Sequence, residues 1–429
     1  MSTPPGALAV LYRAAGQVSA AKALTTTAVG FVFVAPLLRA TVGHAVVVGG
    51  LLALLAVALV VLSASHERID RPIRIPLTVV FVLAWMAASL LWSDYRGPTL
   101  LAVTEQITIT ALAVIIGLLR DLIQIIRAVG DVLRALLGVS LALELLSGLV
   151  FHVPFLALGI QGDIGDGGPI QGLFLTRNLL GFVALIALVT FAIEGVTRSV
   201  PRGRVVASIL LASGMIVLSQ SPVTMVMTLA LAVAAGAIAL IRRAPAAVRP
   251  RIQWTLATVL ALATVLSWVF RHRLVSLLDA AAEMDTRSQL WTAIARAIRI
   301  EPTTGWGWAG EWIGGRAPFV GINISVRGAH GTALNAWFDV TLQLGAVGLA
   351  LVAGFALLAL GRSWLLASAR RTVSVVWPAL ILVLLWTSSL AESFILLDAG
   401  WFLLVLCAVQ ASNRQRQGVP ASRGAPALD

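Results

Sequence analysis

The chain has 429 residues, 59% of them hydrophobic and 12% charged, with a mean hydropathy of +0.95. Soluble domains carry about a quarter charged residues, so the composition excludes an ordinary soluble enzyme and indicates an integral membrane protein. The net charge of +12 is almost all arginine, with Lys22 the sole lysine; in a chain this apolar it argues for loops that orient helices, not for nucleic-acid binding. A single cysteine, Cys407, excludes a disulfide framework and a thiolate metal site.

The first 24 residues lack the three regions of a secretory signal and read as a cytoplasmic lead-in. Beyond them the chain is expected to be all-α, because lipid leaves backbone polar groups no partner outside their own helix or a closed barrel. Twelve apolar spans of about 20 residues follow, at 24–41, 44–64, 75–93, 100–119, 129–151, 178–196, 205–220, 223–241, 253–270, 333–360, 373–391 and 394–411. They make one multi-pass membrane domain over residues 1–412, with 413–429 a disordered tail.

Loop charge gives the orientation. ERIDRPIR (67–74), RDLIQIIR (120–127), TRSVPRGR (197–204), RRAPAAVRPR (242–251) and GRSWLLASARR (361–371) alternate with short or acid-tinged loops such as QGDIGDGGP (161–169). With both termini cytoplasmic, all five arginine-rich loops fall inside. The exception is the large extracytoplasmic loop before span ten, 271–332, which carries Arg271, Arg273, Arg287, Arg296, Arg299, Arg316 and Arg327. Within it SQLWTAIARAIRI (288–300) reads as an amphipathic helix on or against the membrane. No internal repeat and no separate soluble domain are evident.

Asn335, Asp339 and Gln343 follow at intervals of four and share one helix face. Such a polar stripe either lines a wet cleft open to the outside, with His330 at its mouth, or makes hydrogen bonds between helices. His330 titrates in the range a general base needs. Arg287 and Arg177 suit bidentate contact with phosphate oxygens, or else anchor lipid headgroups. Glu105, Glu144 and Glu392 lie in or near spans, where a carboxylate is costly enough to mark either a site or a structural pair. No metal-ligand spacing, phosphate-binding loop or dinucleotide fingerprint is present, so no cofactor is expected.

Several stretches resemble the bacterial O-antigen ligase and polymerase superfamily. RSQLWTAIARAIRIEPTTGWGW (287–308) carries Arg287, Trp291, Pro302, Gly305 and Gly307; LNAWFDVTLQLGAVGL (334–349) carries Asn335, Trp337, Gly345 and Gly348; GLFLTRNLLGF (172–182) carries Gly172, Phe174, Asn178 and Gly181. SLLWSD (89–94) and LAESFILL (390–397) are similar to weaker signatures of that family. The resemblance implies metal-independent, inverting transfer of a glycan from a polyprenyl-pyrophosphate donor to a glycan or glycolipid acceptor, at the outer face of the cytoplasmic membrane. It implies arginines on the pyrophosphate (Arg287, with Arg177 or Arg327), a histidine acting on the acceptor hydroxyl (His330, with Asp339 the other candidate base), and Asn335, Gln343 and Trp337 in the acceptor cleft. Two positions depart from the pattern. Leu334 stands where the family histidine precedes the asparagine, and Pro222 stands where Ser–x–Ser–Arg has its arginine, so a second phosphate-binding arginine has to come from Arg177, Arg327 or Arg39. The competing expectation is a transporter or flippase of lipid-linked glycans, which would also need an arginine-lined cleft.

Overall fold

The computed structural model describes residues 12–65, 76–245, 247–255, 258 and 281–415. It is a helical bundle, and among the described residues no strand is assigned. The helices are α1 (Val18–Val42), α2 (His44–Ala64), α3 (Leu77–Ala88), α4 (Arg96–Leu119), α5 (Leu122–Leu145), α6 (Arg177–Thr197), α7 (Arg202–Leu218) and α8 (Pro222–Arg243). Then come α9 (Ala281–Ile298) and α10 (Phe319–Ser325) in the large loop, α11 (Ala336–Ala369), α12 (Val376–Ser388) and α13 (Asp398–Gln415).

Among the described residues, seven helices are long and apolar enough to cross a membrane: α1, α2, α4, α5 with the turn that prolongs it to Phe151, α6, α8 and α11. Two shorter apolar helices lie at Leu77–Leu91 and Val373–Ser388. Every expected span except 253–270 coincides with a helix; that one lies almost wholly outside the described residues, as does the tail beyond Gln415.

The bundle is organised around α13, whose residues from Trp401 to Val409 are all buried. Two buried indoles of the bundle find hydroxyl partners: Trp401 Nε1 donates to Thr110 Oγ1 at 2.8 Å and Trp377 Nε1 to Thr190 Oγ1 at 3.0 Å. The arginine-rich stretches mostly turn out to be helix ends rather than loops. Residues 122–127 are the first turns of α5, set by a capping box of Asp121 and Gln124, and 361–369 are the last turns of α11. They lie at the end of the bundle opposite the large loop, where Arg242 donates to the Arg371 carbonyl.

The tenth span departs from expectation. It is not one helix: Gly345 has φ 66°, ψ −169° and breaks α11 after two turns. The external loop fills the gap with its backbone. Trp306 N donates to Leu342 O at 3.0 Å and Gly307 N to Gln343 O at 2.8 Å, while Ala346 N donates to Pro302 O at 2.9 Å and Val347 N to Thr303 O at 3.4 Å. Trp85 Nε1 takes the Leu344 carbonyl at 3.0 Å. A break at this depth persists because buried backbone groups are all paired.

The amphipathic segment also corrects the sequence reading. It is α9, and its apolar face does not lie on a membrane. Leu290, Ala293, Ile294 and Ala297 are buried in a small core with Tyr95, Trp312, Phe319, Ile322 and Leu342. The large loop thus carries a hydrophobic core of its own, docked on the broken end of α11.

Candidate functional site

Three of the helices that begin at the loop end of the bundle carry a side-chain cap. Thr176 Oγ1 accepts from Leu179 N in α6, and Ser221 Oγ accepts from Thr224 N ahead of Pro222 in α8. Asn335 Oδ1 accepts from Trp337 N and Phe338 N in α11. Glycine brings α6 and α8 together: a Cβ on Gly181 would sit 1.9 Å from Thr224 Oγ1.

The caps are wired to one another. Ser221 Oγ donates to Asn178 Oδ1 and Asn178 Nδ2 to Glu392 Oε1, both at 2.7 Å. Glu392 also accepts from Arg287 Nη2 at 3.0 Å. Arg287 Nη1 reaches the Leu334 carbonyl at 3.1 Å and the Ala391 carbonyl. Asn335 Nδ2 reaches the Leu390 carbonyl at 2.9 Å. Stretches separated by up to 214 positions, around 178, 287, 335 and 392, therefore meet in one buried polar network. Arg287 is 8% exposed and Glu392 5%. The three contacts of Arg287 engage three of its five hydrogens, leaving Nε–H and one Nη2–H outside the contacts among the described residues.

His330 is half-buried and near enough to this network to feel the charge of Arg287. Its backbone is gripped on both sides by the Asn323 carboxamide: His330 N donates to Oδ1 and Nδ2 donates to His330 O, each at 3.0 Å. Its ring packs on Gly328, where a Cβ would come within 2.6 Å of Nε2. Burial, and secondly the charge of Arg287, hold the imidazole below its usual 6.5, as a neutral base.

The polar stripe of α11 differs from the expected open lining. Asn335, Asp339 and Gln343 are 9%, 1% and 0% exposed, and all three are engaged by protein. Asp339 accepts from Trp312 Nε1 at 2.6 Å, from Ala333 N at 2.9 Å, from Gln343 Nε2 at 3.4 Å and from Ser393 Oγ. Gln343 accepts from Ala309 N at 2.8 Å and Gly310 N at 3.1 Å, and donates to Gly310 O at 3.0 Å. The stripe binds the external loop to α11: a loop folded over a helix break needs side-chain partners for its own backbone. Asp339 accepts four donors and fastens the external loop to α11. Asn335 is a helix cap, and Trp337 is half-buried against Trp386 with ring centroids 4.9 Å apart.

The remaining candidates separate. Arg177 is the first residue of α6, and its Nη1 donates to the Gln220 carbonyl at 3.3 Å, within two positions of Pro222. Arg327 is exposed in a left-handed turn with φ 51°. Arg39 is removed from the phosphate-binding candidates: it meets Glu105, Glu311 and Asp398, each at 2.7 Å, and Glu105 also meets His44 Nε2 at 2.6 Å. Three carboxylates around one guanidinium leave no attraction for a further anion. Glu144 accepts from Gln171 N at 3.0 Å and Gly172 N at 2.8 Å, holding the turn before α6.

Sequence reasoning missed Ser393, Trp312 and Asn323, which act through fold-level proximity. Ser221 was legible, as a serine before proline opening an apolar run. No family model and no curated protein matches the chain.

Proposed function

We propose that the chain transfers a glycan from a polyprenyl-pyrophosphate donor to a hydroxyl of a glycan or glycolipid acceptor, at the outer face of the cytoplasmic membrane, through twelve spans with both termini inside. One observation carries this reading: the stretches that resemble the O-antigen ligase and polymerase superfamily are scattered from 172 to 397, yet they converge on the Arg287–Glu392 pair with His330 beside it.

The chemistry is a single displacement. The acceptor oxygen attacks the anomeric carbon, the bond from that carbon to the pyrophosphate oxygen breaks, and configuration inverts. The hydroxyl proton passes to the neutral His330 imidazole. The leaving pyrophosphate gains charge, which the two remaining N–H groups of Arg287 meet, with Glu392 and two carbonyls fixing the guanidinium plane. Arg177, at the start of α6 and joined to the same network through its neighbour Asn178, supplies the second cation. A donor activated by pyrophosphate needs no nucleotide site.

The test is a glycan profile of a strain lacking the gene, with wild type, Arg287→Ala or Arg287→Lys restored. Long chains stranded on the lipid carrier identify a ligase, and single repeat units a polymerase. Both variants should fail, since lysine cannot reproduce the planar contacts. A profile that deletion leaves unchanged overturns the reading. The break in α11 also resembles the discontinuous helices of transporters, so movement of intact donor by the purified protein in liposomes would establish that alternative.

A further inference from the structure

The geometry points to Asn323 and Gly328 as the positioning residues that set the His330 imidazole for proton transfer, an inference that rests on the base role given to His330 above. The segment around His330, VRGAHGTA (326–333), is poorly suited to holding a catalytic group by itself. It has glycines at 328 and 331, and Arg327 is in the left-handed region at φ 51°. A base must stand within hydrogen-bond reach of its proton, so the segment needs an external fastening.

Asn323 provides it. Its carboxamide pairs with both the N–H and the C=O of His330, which fixes the two peptide units that flank the His330 Cα. The helix behind it is anchored. Asn323 sits on α10 next to the buried Ile322, and Phe319 at the start of that helix is fully buried against Tyr95 and Trp312 at centroid distances of 5.7 and 5.4 Å. Trp312 in turn donates to Asp339 on α11. The line from the membrane helix to the imidazole therefore runs Asp339, Trp312, Phe319, α10, Asn323, His330. At the far end, Gly328 lets the ring lie against the backbone, where any side chain would push Nε2 away.

The proposed reaction predicts that the donor accumulates in a strain lacking the gene, and lipid-linked glycan extracted from that strain is the substrate offered to purified protein in detergent. Alongside turnover, the acylation rate of His330 by diethyl pyrocarbonate is followed by mass spectrometry. Asn323→Ala should lower kcat about tenfold to a hundredfold with little change in KM for the donor, and should raise the acylation rate of His330 several-fold. Asn323→Asp keeps the acceptor for His330 N and loses the donor to His330 O, so it should fall between alanine and wild type in both readouts. Gly328→Ala should lower kcat through ring displacement while the backbone clamp persists. Wild-type turnover or an unchanged acylation rate in Asn323→Ala overturns the positioning role. Full turnover in His330→Ala is a different failure: it removes the base itself, whatever the acylation rates show about the clamp.

Discussion

The Asp339 carboxylate receives an indole N–H and a hydroxyl from distant residues, and a backbone N–H and a carboxamide from nearby ones. Asp339→Asn would turn an NH2 group toward some of these donors and strand them in a buried site. It should destabilise the protein by about 2–4 kcal/mol, read as a lower melting temperature in detergent. An unchanged melt with no transfer would return Asp339 to the role of base. His330 carries the pH dependence. Its folded-state pKa is lowered, so the imidazole stays neutral as pH falls to 6.5 and charges only below it. Transfer should therefore hold from neutrality down past pH 6.5 and then decline, and a decline already complete above 6.5 would contradict the burial seen here. The spacing of Asn335, Asp339 and Gln343 on one face was legible, because helical periodicity is local. Their partners at 309–312 and 393 were not: a stripe is equally polar whether it faces water or a folded loop.

At the scale of the element, the break in α11 was hidden in QLGAVGLAL. An apolar run with a glycine reads as a continuous span, and the reason for the break lies about forty positions upstream. Gly345 has φ 66° and its missing Cβ would lie 2.0 Å from Thr303 O. Gly305 is matched to it, with Gln343 C, Leu344 N and Gly345 N all 2.5 Å from where its Cβ would be. Gly345→Ala should cost about 3 kcal/mol or more, since both the strained backbone and the docked segment are affected. The measurement is hydrogen exchange at the Trp306 and Gly307 amides, which should lose protection together. Gly354→Ala is the control. It lies in the same helix with nothing within 4 Å of the added carbon, so it should be neutral or stabilising by up to about 1 kcal/mol. Equal protection in both variants would show that the loop does not depend on the break.

For the whole molecule, the apolar runs gave the helices one segment at a time, and the alternation of arginine-rich and arginine-poor turns gave the expected orientation, because that bias is local. The loop core around Phe319 and Leu290 was not legible, since its members are small apolar patches from 95 to 342 with no shared period. What the bundle arranges is a polarity: the Arg287–Glu392 network and His330 at one end, and the turns carrying Arg198, Arg242 and Arg371 at the other. On the positive-inside expectation the arginine end faces the cytoplasm, and the proposed site then lies outside. The chain makes this directly measurable, because Cys407 is fully buried and should stay silent to thiol reagents. Ser325→Cys, on the exposed face of α10, should react with a membrane-impermeant maleimide on intact cells. Thr372→Cys, in the exposed turn after α11, should react only once the membrane is opened. The reverse pattern would turn the site toward the cytosol. A lipid-linked donor displayed on the outer face could not then reach Arg287, and the transfer reaction proposed for this fold would have to be abandoned, with the helical architecture left untouched.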